Sequence, residues 1–383
     1  MPAFKSRIES ALAERKTQGL NRSMNVVFAG NQSVLEHEGR RYINFSSNDY
    51  LGLANDQALV RAWQQGLSVY GSGSGASPMV TGFSAAHSNL EAALTEWLGY
   101  DRAILFGSGF SANQALLFTL LEKSDVLIQD RLNHASLMEA GALSPAKMKR
   151  FKHNDIEHLK SLINSEDNHL VVSEGVFSMD GDCAPLSDIA EVTRSHDAWF
   201  AVDDAHGIGV LGQSGGGSCE LATVKPEILI VTFGKAFGMS GAAILCDHAT
   251  GDFLTQFARH HVYSTAMPPA QAYALTHAVS IVQEQSWRRE KLSELSEVYR
   301  DCLSDLEGFV ETQTSIKPFV IGESELALQV ASACRQNGIW VTAIRPPTVP
   351  KGTSRLRITL TANHTNEQVK TLSMALKQAL GAL

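Results

Sequence analysis

The sequence predicts an α/β protein, a large domain on a mostly parallel sheet followed by a smaller C-terminal α+β domain. Three observations predict it. At 383 residues the chain is too long for a single comfortable core. Between residues 102 and 245 short apolar runs alternate with longer stretches of helical period, the rhythm of βαβ units. Polar residues able to do chemistry follow one apolar run after another, where open parallel sheets place their ligands.

Residues 4–20 have helical period with Phe4, Ile8, Leu12 and Leu20 on one face, and their distance from the first core signals suggests an arm. Residues 33–45 alternate and turn at His37-Glu38-Gly39-Arg40, as a hairpin does. The polar and aromatic stretch NFSSNDYLGL, 44–53, is of a kind that lines sites, and 58–70 is helical. GSGSGASPMVTG, 71–82, precedes a helix over 84–98 and offers backbone N–H groups and close approach. It is no Walker A sequence and no strand leads into it, so it reads equally as a structural glycine loop. Strands follow at 103–106, 126–129, 169–173, 199–202 and 228–231, with helices at 111–121, 135–142 and 186–196, and the run 240–245 returns to the core. Beyond about 290 come a charged helix (287–306), a strand (316–320), a helix (323–337), a strand (339–344), a proline-rich turn (345–350), a strand (355–360) and a last helix (366–380). The expected division is an N-terminal helix and hairpin over 1–45, a large domain over 46–285 and a small domain over 286–383.

A net charge of −8 leaves no basic excess to neutralise phosphates, which argues against nucleic acid or an anionic membrane as partner. Five cysteines without CxxC spacing suit a reducing compartment and no zinc cluster. The N-terminus lacks the apolar core of a secretory signal, and no run approaches twenty apolar residues, so a cytoplasmic location is expected.

The chemistry centres on ILIVTFGKAFGMSGAAIL, 228–245, where Lys235 lies between two apolar segments. A lysine there is costly unless its ammonium is paired or discharged, and a Schiff base with an aldehyde cofactor is one reason to place it so. The alternative is a buried stem whose head snorkels to water. Asp203, directly after a strand, suits a protonated ring nitrogen, and His206 suits an orienting role. Metal ligation by Asp203, Asp204 and His206 is the rival, but no further His or Cys stands at ligand spacing. His134 has the flat ring and pKa to stack on an aromatic cofactor and move protons, or it is a helix cap. Ser108, Gly109 and Phe110 open a helix whose free N–H groups suit a phosphate. Thr232 can add a hydroxyl, or bond its own turn. Arg355 and Arg357 share a strand face, and one suffices to clamp a carboxylate; Thr348 in the preceding turn is a further donor. Gly234-Lys235 fails as a P-loop on both sides. Gly212-Gln213-Ser214-Gly215-Gly216 matches GxSxG, but Gly217 and Ser218 are not expected to open a buried helix as a nucleophile elbow requires.

NFSSNDYLGL, EGVFSMDGD (174–182), VDDAHGIGVLG (202–212), TFGKAFGMSGA (232–242) and TAIRPPTVPKGTSRLRITLTA (342–362) resemble the α-oxoamine synthase family of fold-type I pyridoxal-phosphate enzymes, over nearly the whole chain. The resemblance is closest to members that condense L-alanine with pimeloyl-CoA, or pimeloyl-acyl-carrier protein, to 8-amino-7-oxononanoate in biotin biosynthesis. It implies a seven-stranded sheet and pyridoxal 5'-phosphate bound covalently to Lys235, which then serves as general acid and base. It further implies that Asp203 pairs with the pyridine nitrogen, His134 stacks on the ring, and His206 and Ser178 lie beside the phenolic oxygen. Gly109, Phe110 and Thr232 would hold the phosphate. A homodimer with shared sites is implied, with Ser264 and Thr265 reaching the partner's phosphate. Arg22, Asn48 and Thr348 match substrate positions, and Arg357 matches the position that holds an amino-acid carboxylate. Pro78 and Phe83 depart from the arginine and asparagine that many relatives carry beside the acyl channel. The rival functions are sister synthases using glycine or serine, an aminotransferase, and a binding module without catalysis.

Overall fold

A computed structural model of the chain describes residues 3–30, 32–164 and 166–382. The helix Ala3–Thr17 is an arm with Phe4, Ile8 and Leu12 exposed. Strands β1 (Val34–His37) and β2 (Arg40–Asn44) form the expected hairpin. Its two loop residues, Glu38 and Gly39, both have positive φ (51° and 72°), the turn whose twist matches that of paired strands.

The central sheet contains β3 (Arg102–Phe106), β4 (Val126–Asp130), β5 (Lys147–Phe151), β6 (His169–Glu174), β7 (Trp199–Asp203), β8 (Ile228–Thr232) and β9 (Ala242–Cys246). They are ordered β3-β9-β8-β7-β6-β4-β5, and only β9 runs against the rest. The 233–241 connection is too short for a crossover helix, so β9 must return antiparallel to β8. Alternate residues feed two separate cores. Ile104, Leu127, Val172, Ile230 and Ile244 pack on one face, and Leu105, Ile128, Val171, Leu229 and Leu245 on the other. Burial on both faces explains why these strands read as unbroken apolar runs. The edge strand β5, KMKRF, escapes that pattern because its lysines and arginine keep an unpaired edge in water.

In the C-terminal part, β10 (Ile316–Gly322), β12 (Thr342–Ile344) and β13 (Ser354–Thr359) form an antiparallel sheet in the order β10-β13-β12, while β11 (Ile339–Trp340) pairs in parallel with β2. The single strand expected over 339–344 is thus two strands, because the chain passes from one sheet to the other at the buried Val341. Among the described residues no helix is long and apolar enough to cross a membrane. The helices Gln57–Tyr70 and Pro269–Glu284 pack so closely that a Cβ on Gly66 would meet the Ala270 carbonyl at 2.8 Å.

Gly217 and Ser218 do open a short helix, Gly217–Ala222, with its first three residues buried, contrary to the expectation above. The cause is the buried Asp204, whose carboxylate accepts from the Ser218 amide (2.8 Å) and hydroxyl and draws the turn inward. No strand leads into Ser214, and its amide and hydroxyl both bond to Glu220, so a nucleophile elbow is still missing.

One buried cation ties the NFSSNDYLGL loop to the helix Trp287–Leu303. Arg288, 4% exposed, donates to the Leu51 carbonyl and to Asp56, both at 2.7 Å. Arg288→Ala strands both acceptors, so urea unfolding should show a loss of about 3–5 kcal/mol. A loss below about 1 kcal/mol, the size of an exposed pair, would mean that water replaces the guanidinium.

Candidate active site

A cavity of about 220 Å³ lies at the carboxyl ends of the central strands. β7 delivers Asp203, 4% exposed, with its carboxylate fixed from behind by the Asn113 amide (2.7 Å) and the Ala205 N–H (3.1 Å). β8 delivers Thr232 and, past a tight bend, the half-buried Lys235, whose Nζ lies 3.5 Å from the Thr232 hydroxyl. Burial lowers the Lys235 pKa below its ordinary value; Asp203 and Glu174 push back, and Arg357 adds to the lowering. A larger share of neutral amine follows, as a nucleophile requires. Glu174, at the end of β6, is held well above the carboxylate range by burial and by Asp203. Its Oε1 has no hydrogen-bond partner among the described residues, as suits a protonated acid on the cavity wall.

Two imidazoles complete the wall. His134 caps the helix Ala135–Leu143, with Nδ1 near the Ser136 amide (3.3 Å) and hydroxyl (2.8 Å). Burial lowers its pKa, Asp203 opposes that, and Lys235 adds to it. His206 is kept neutral by burial first and then by Lys235, Arg357 and His134. It shares a 2.7 Å hydrogen bond with the buried Tyr50 hydroxyl. Arg357, on β13, donates to the Ser178 carbonyl (2.6 Å), to Asn48 (2.9 Å) and to Tyr50 (3.4 Å), joining the C-terminal sheet to this wall. Its neighbour Arg355 is already paired with Asp180 at 2.6 Å, leaving Arg357 as the arginine adjoining the cavity's histidine network.

The helix Gly109–Leu120 points its N-terminus into the same cavity. Ser108 caps the Ser111 amide, and the amides of Gly109 and Phe110 precede the first intrahelical bond. A Cβ on Gly109 would meet Thr232 Cγ2 at 2.7 Å, so only glycine lets these two residues form one cradle. A flat ring carrying an aldehyde, a basic nitrogen and a phosphate fits this donor set. It offers an amine, a fixed carboxylate and an anion site together.

The structure therefore brings Gly109, Phe110, His134, Asp203, His206, Thr232 and Lys235 around one cavity. Ser178 meets the site through its carbonyl on Arg357, and Asn48 lies against the same guanidinium. Ser264 and Thr265 line a neighbouring small cavity with Pro78, Phe83 and His87, which touches the first at Gly107. Arg22 and Thr348 stand apart in an outer groove, 3.3 Å from each other. Sequence reasoning passed over Asn113, Ser136 and Tyr50. Asn113 had a signal, a polar residue on a helix stripe with the fully buried Ala112, Ala115 and Leu116.

Residues 40–376 match the family described as aminotransferase class I and II. The 8-amino-7-oxononanoate synthase of Vibrio campbellii is 92% identical over 383 residues, covering all of both chains. Among solved structures, a serine palmitoyltransferase from S. paucimobilis with bound PLP superposes at TM-score 0.93 and 28% identity, covering 98% of each chain. The 8-amino-7-oxononanoate synthase from Francisella tularensis superposes at TM-score 0.79 and 29% identity, covering 89% of this chain and 98% of its own.

Proposed function

The chain belongs to the 8-amino-7-oxononanoate synthase family, within the aminotransferase class I and II group, and from that premise we propose that it takes L-alanine and a pimeloyl thioester, carried by CoA or by acyl-carrier protein, as a homodimer with shared active sites. Its activity is the pyridoxal-phosphate-dependent condensation that forms 8-amino-7-oxononanoate in biotin biosynthesis. The α-carbon of alanine bonds to the thioester carbonyl, the thiol carrier leaves, the alanine carboxylate departs as CO2 and a proton returns to carbon.

When bound, pyridoxal phosphate supplies the electron sink that makes an amino-acid α-hydrogen removable. Lys235 would hold it covalently and, with its amine free, would take and return the α-proton at Nζ. Asp203 keeps the ring nitrogen charged, and the Asn113 and Ala205 donors keep that carboxylate oriented without neutralising it. His134 would cover the ring, and His206 and Ser178 would lie on its phenolic side. Gly109, Phe110 and Thr232 hold the phosphate, and Ser264 and Thr265 reach the partner's. Arg357 would receive the alanine carboxylate with Asn48 beside it, and Arg22 and Thr348 would contact the substrate. The observation that carries the chemistry is the shared cavity of Lys235, Asp203 and an open helix N-terminus.

The backbone overlay is higher with the palmitoyltransferase than with the Francisella enzyme, so shape alone reports the common scaffold. The 92% identical relative, named an 8-amino-7-oxononanoate synthase, supports the product, and the motif resemblance carries alanine and pimeloyl. Supplying alanine, glycine or serine against pimeloyl, acetyl, succinyl and palmitoyl thioesters tests it, with thiol release and product mass recorded. Alanine with pimeloyl should give the highest kcat/KM, and preference for another pair would overturn the assignment.

Gly109→Ala tests the phosphate cradle. The new methyl must displace Thr232, so fluorescence titration of the apoprotein should show cofactor affinity weakened about tenfold, equivalent to ~1.4 kcal/mol. Unchanged affinity would place the phosphate elsewhere.

A further inference from the structure

Outside the cavity, one histidine sits between two carboxylates on segments that the site depends on. Asp130, fully buried at the end of β4, faces His153 Nδ1 at 3.1 Å, and Asp182 accepts from Nε2 at 2.8 Å. Both ring nitrogens face an acceptor, so the ring meets both only as the doubly protonated imidazolium. Burial alone would lower the His153 pKa, but the hydrogen bonds and charges of Asp130 and Asp182 outweigh it and push it up to about 10. The ring also stands edge-on to Phe177, with centroids 4.4 Å apart.

Asp182 belongs to a closed turn. Val176 bridges Cys183, the Phe177 amide bonds to the Asp182 carbonyl at 3.0 Å, and the Gly181 amide bonds to the Phe177 carbonyl at 2.8 Å. The outer side of that turn carries the Ser178 carbonyl, which holds Arg357 Nε at 2.6 Å. One short, internally bonded loop thus joins Asp182 to the contact on Arg357.

We propose that His153 is a positioning residue for the amino-acid substrate: bridging Asp130 and Asp182, it sets the 176–183 turn whose Ser178 carbonyl aims Arg357 at the substrate carboxylate. This rests on the reading of Arg357 as the carboxylate receptor. Without the cation, Asp130 keeps the Leu132 and Asn154 N–H groups and Asp182 keeps the Asn154 side-chain amide, but two negative charges face each other with no cation between them, the turn shifts outward, and the guanidinium loses its aim while the cofactor residues on β7 and β8 stay in place.

The test compares holoenzyme variants His153→Gln, Asp182→Asn and Arg357→Lys with the parent, reading alanine affinity from the cofactor absorbance change and the steady-state constants for alanine and pimeloyl-CoA. His153→Gln should weaken alanine binding and raise its KM about tenfold, with kcat and the thioester KM within about twofold. The double variant His153→Gln with Asp182→Asn, which removes one of the two facing charges, should recover most of that loss. If His153→Gln does not fold, Asp182→Asn alone should raise the alanine KM several-fold, and an unchanged value overturns the proposal. An unchanged alanine KM in His153→Gln while Arg357→Lys raises it, or an equal loss in every constant, also overturns it. If Arg357→Lys itself leaves the alanine KM unchanged, the carboxylate assignment fails, and the proposal with it.

Discussion

Lys235→Ala is expected to lower turnover by at least ~10³-fold while the protein stays folded. On the roles proposed for Lys235, the substitution removes both the amine that binds the cofactor and the group that carries the α-proton. Neither Glu174 nor His206 replaces it. Glu174 is kept protonated by burial and Asp203, and His206, whose Nδ1 shares a hydrogen bond with Tyr50, is disfavoured as a proton acceptor by burial and by Arg357 and His134. The fold should tolerate the change, since Lys235 is half-buried and its ammonium is disfavoured where it stands. Thiol release with alanine and pimeloyl-CoA measures the effect, with thermal unfolding as control. Turnover within about tenfold of the parent would remove Lys235 from the mechanism.

Asp203→Asn should cost ~10²–10³-fold in kcat, the range seen when one fixed electrostatic contact to the reacting system is removed. A neutral amide cannot hold a ring nitrogen protonated, and an uncharged ring is a poor electron sink. The local geometry makes the change worse than isosteric. Both donors behind Asp203, the Asn113 amide and the Ala205 N–H, need an acceptor, and an asparagine supplies only one oxygen. The cofactor should still bind through Lys235 and the phosphate cradle, so absorbance separates lost occupancy from lost chemistry. Loss of only about threefold at full occupancy would show that another group charges the ring.

How much of this was legible in the sequence follows from where burial is simple. β4, β6, β7 and β8 are covered on both faces, and their unbroken apolar runs announced them together with Asp203 and Lys235 at their ends. β5 was not legible, because an edge strand with lysine side chains has no apolar period. Nor was the division at Val341, where the chain changes sheets without a turn residue to mark it. The same distinction holds at the site. Residues on strand ends could be found from spacing, whereas Tyr50 reaches His206 across 156 positions and Asn48 meets Arg357 across 309, contacts that only the folded chain creates. The resemblance named Asn48 and Arg357; the geometry adds Asn113, Tyr50 and Glu174, which hold or surround the groups it named.

One amine at the end of β8 is expected to carry the cofactor. Borohydride reduction of the holoenzyme, followed by peptide mass mapping, tests it most directly. The added cofactor mass should fall on the peptide containing Lys235 and on no other. Its appearance instead on Lys317, a buried lysine whose pKa burial brings down to about 8, or on no lysine at all, would contradict the account.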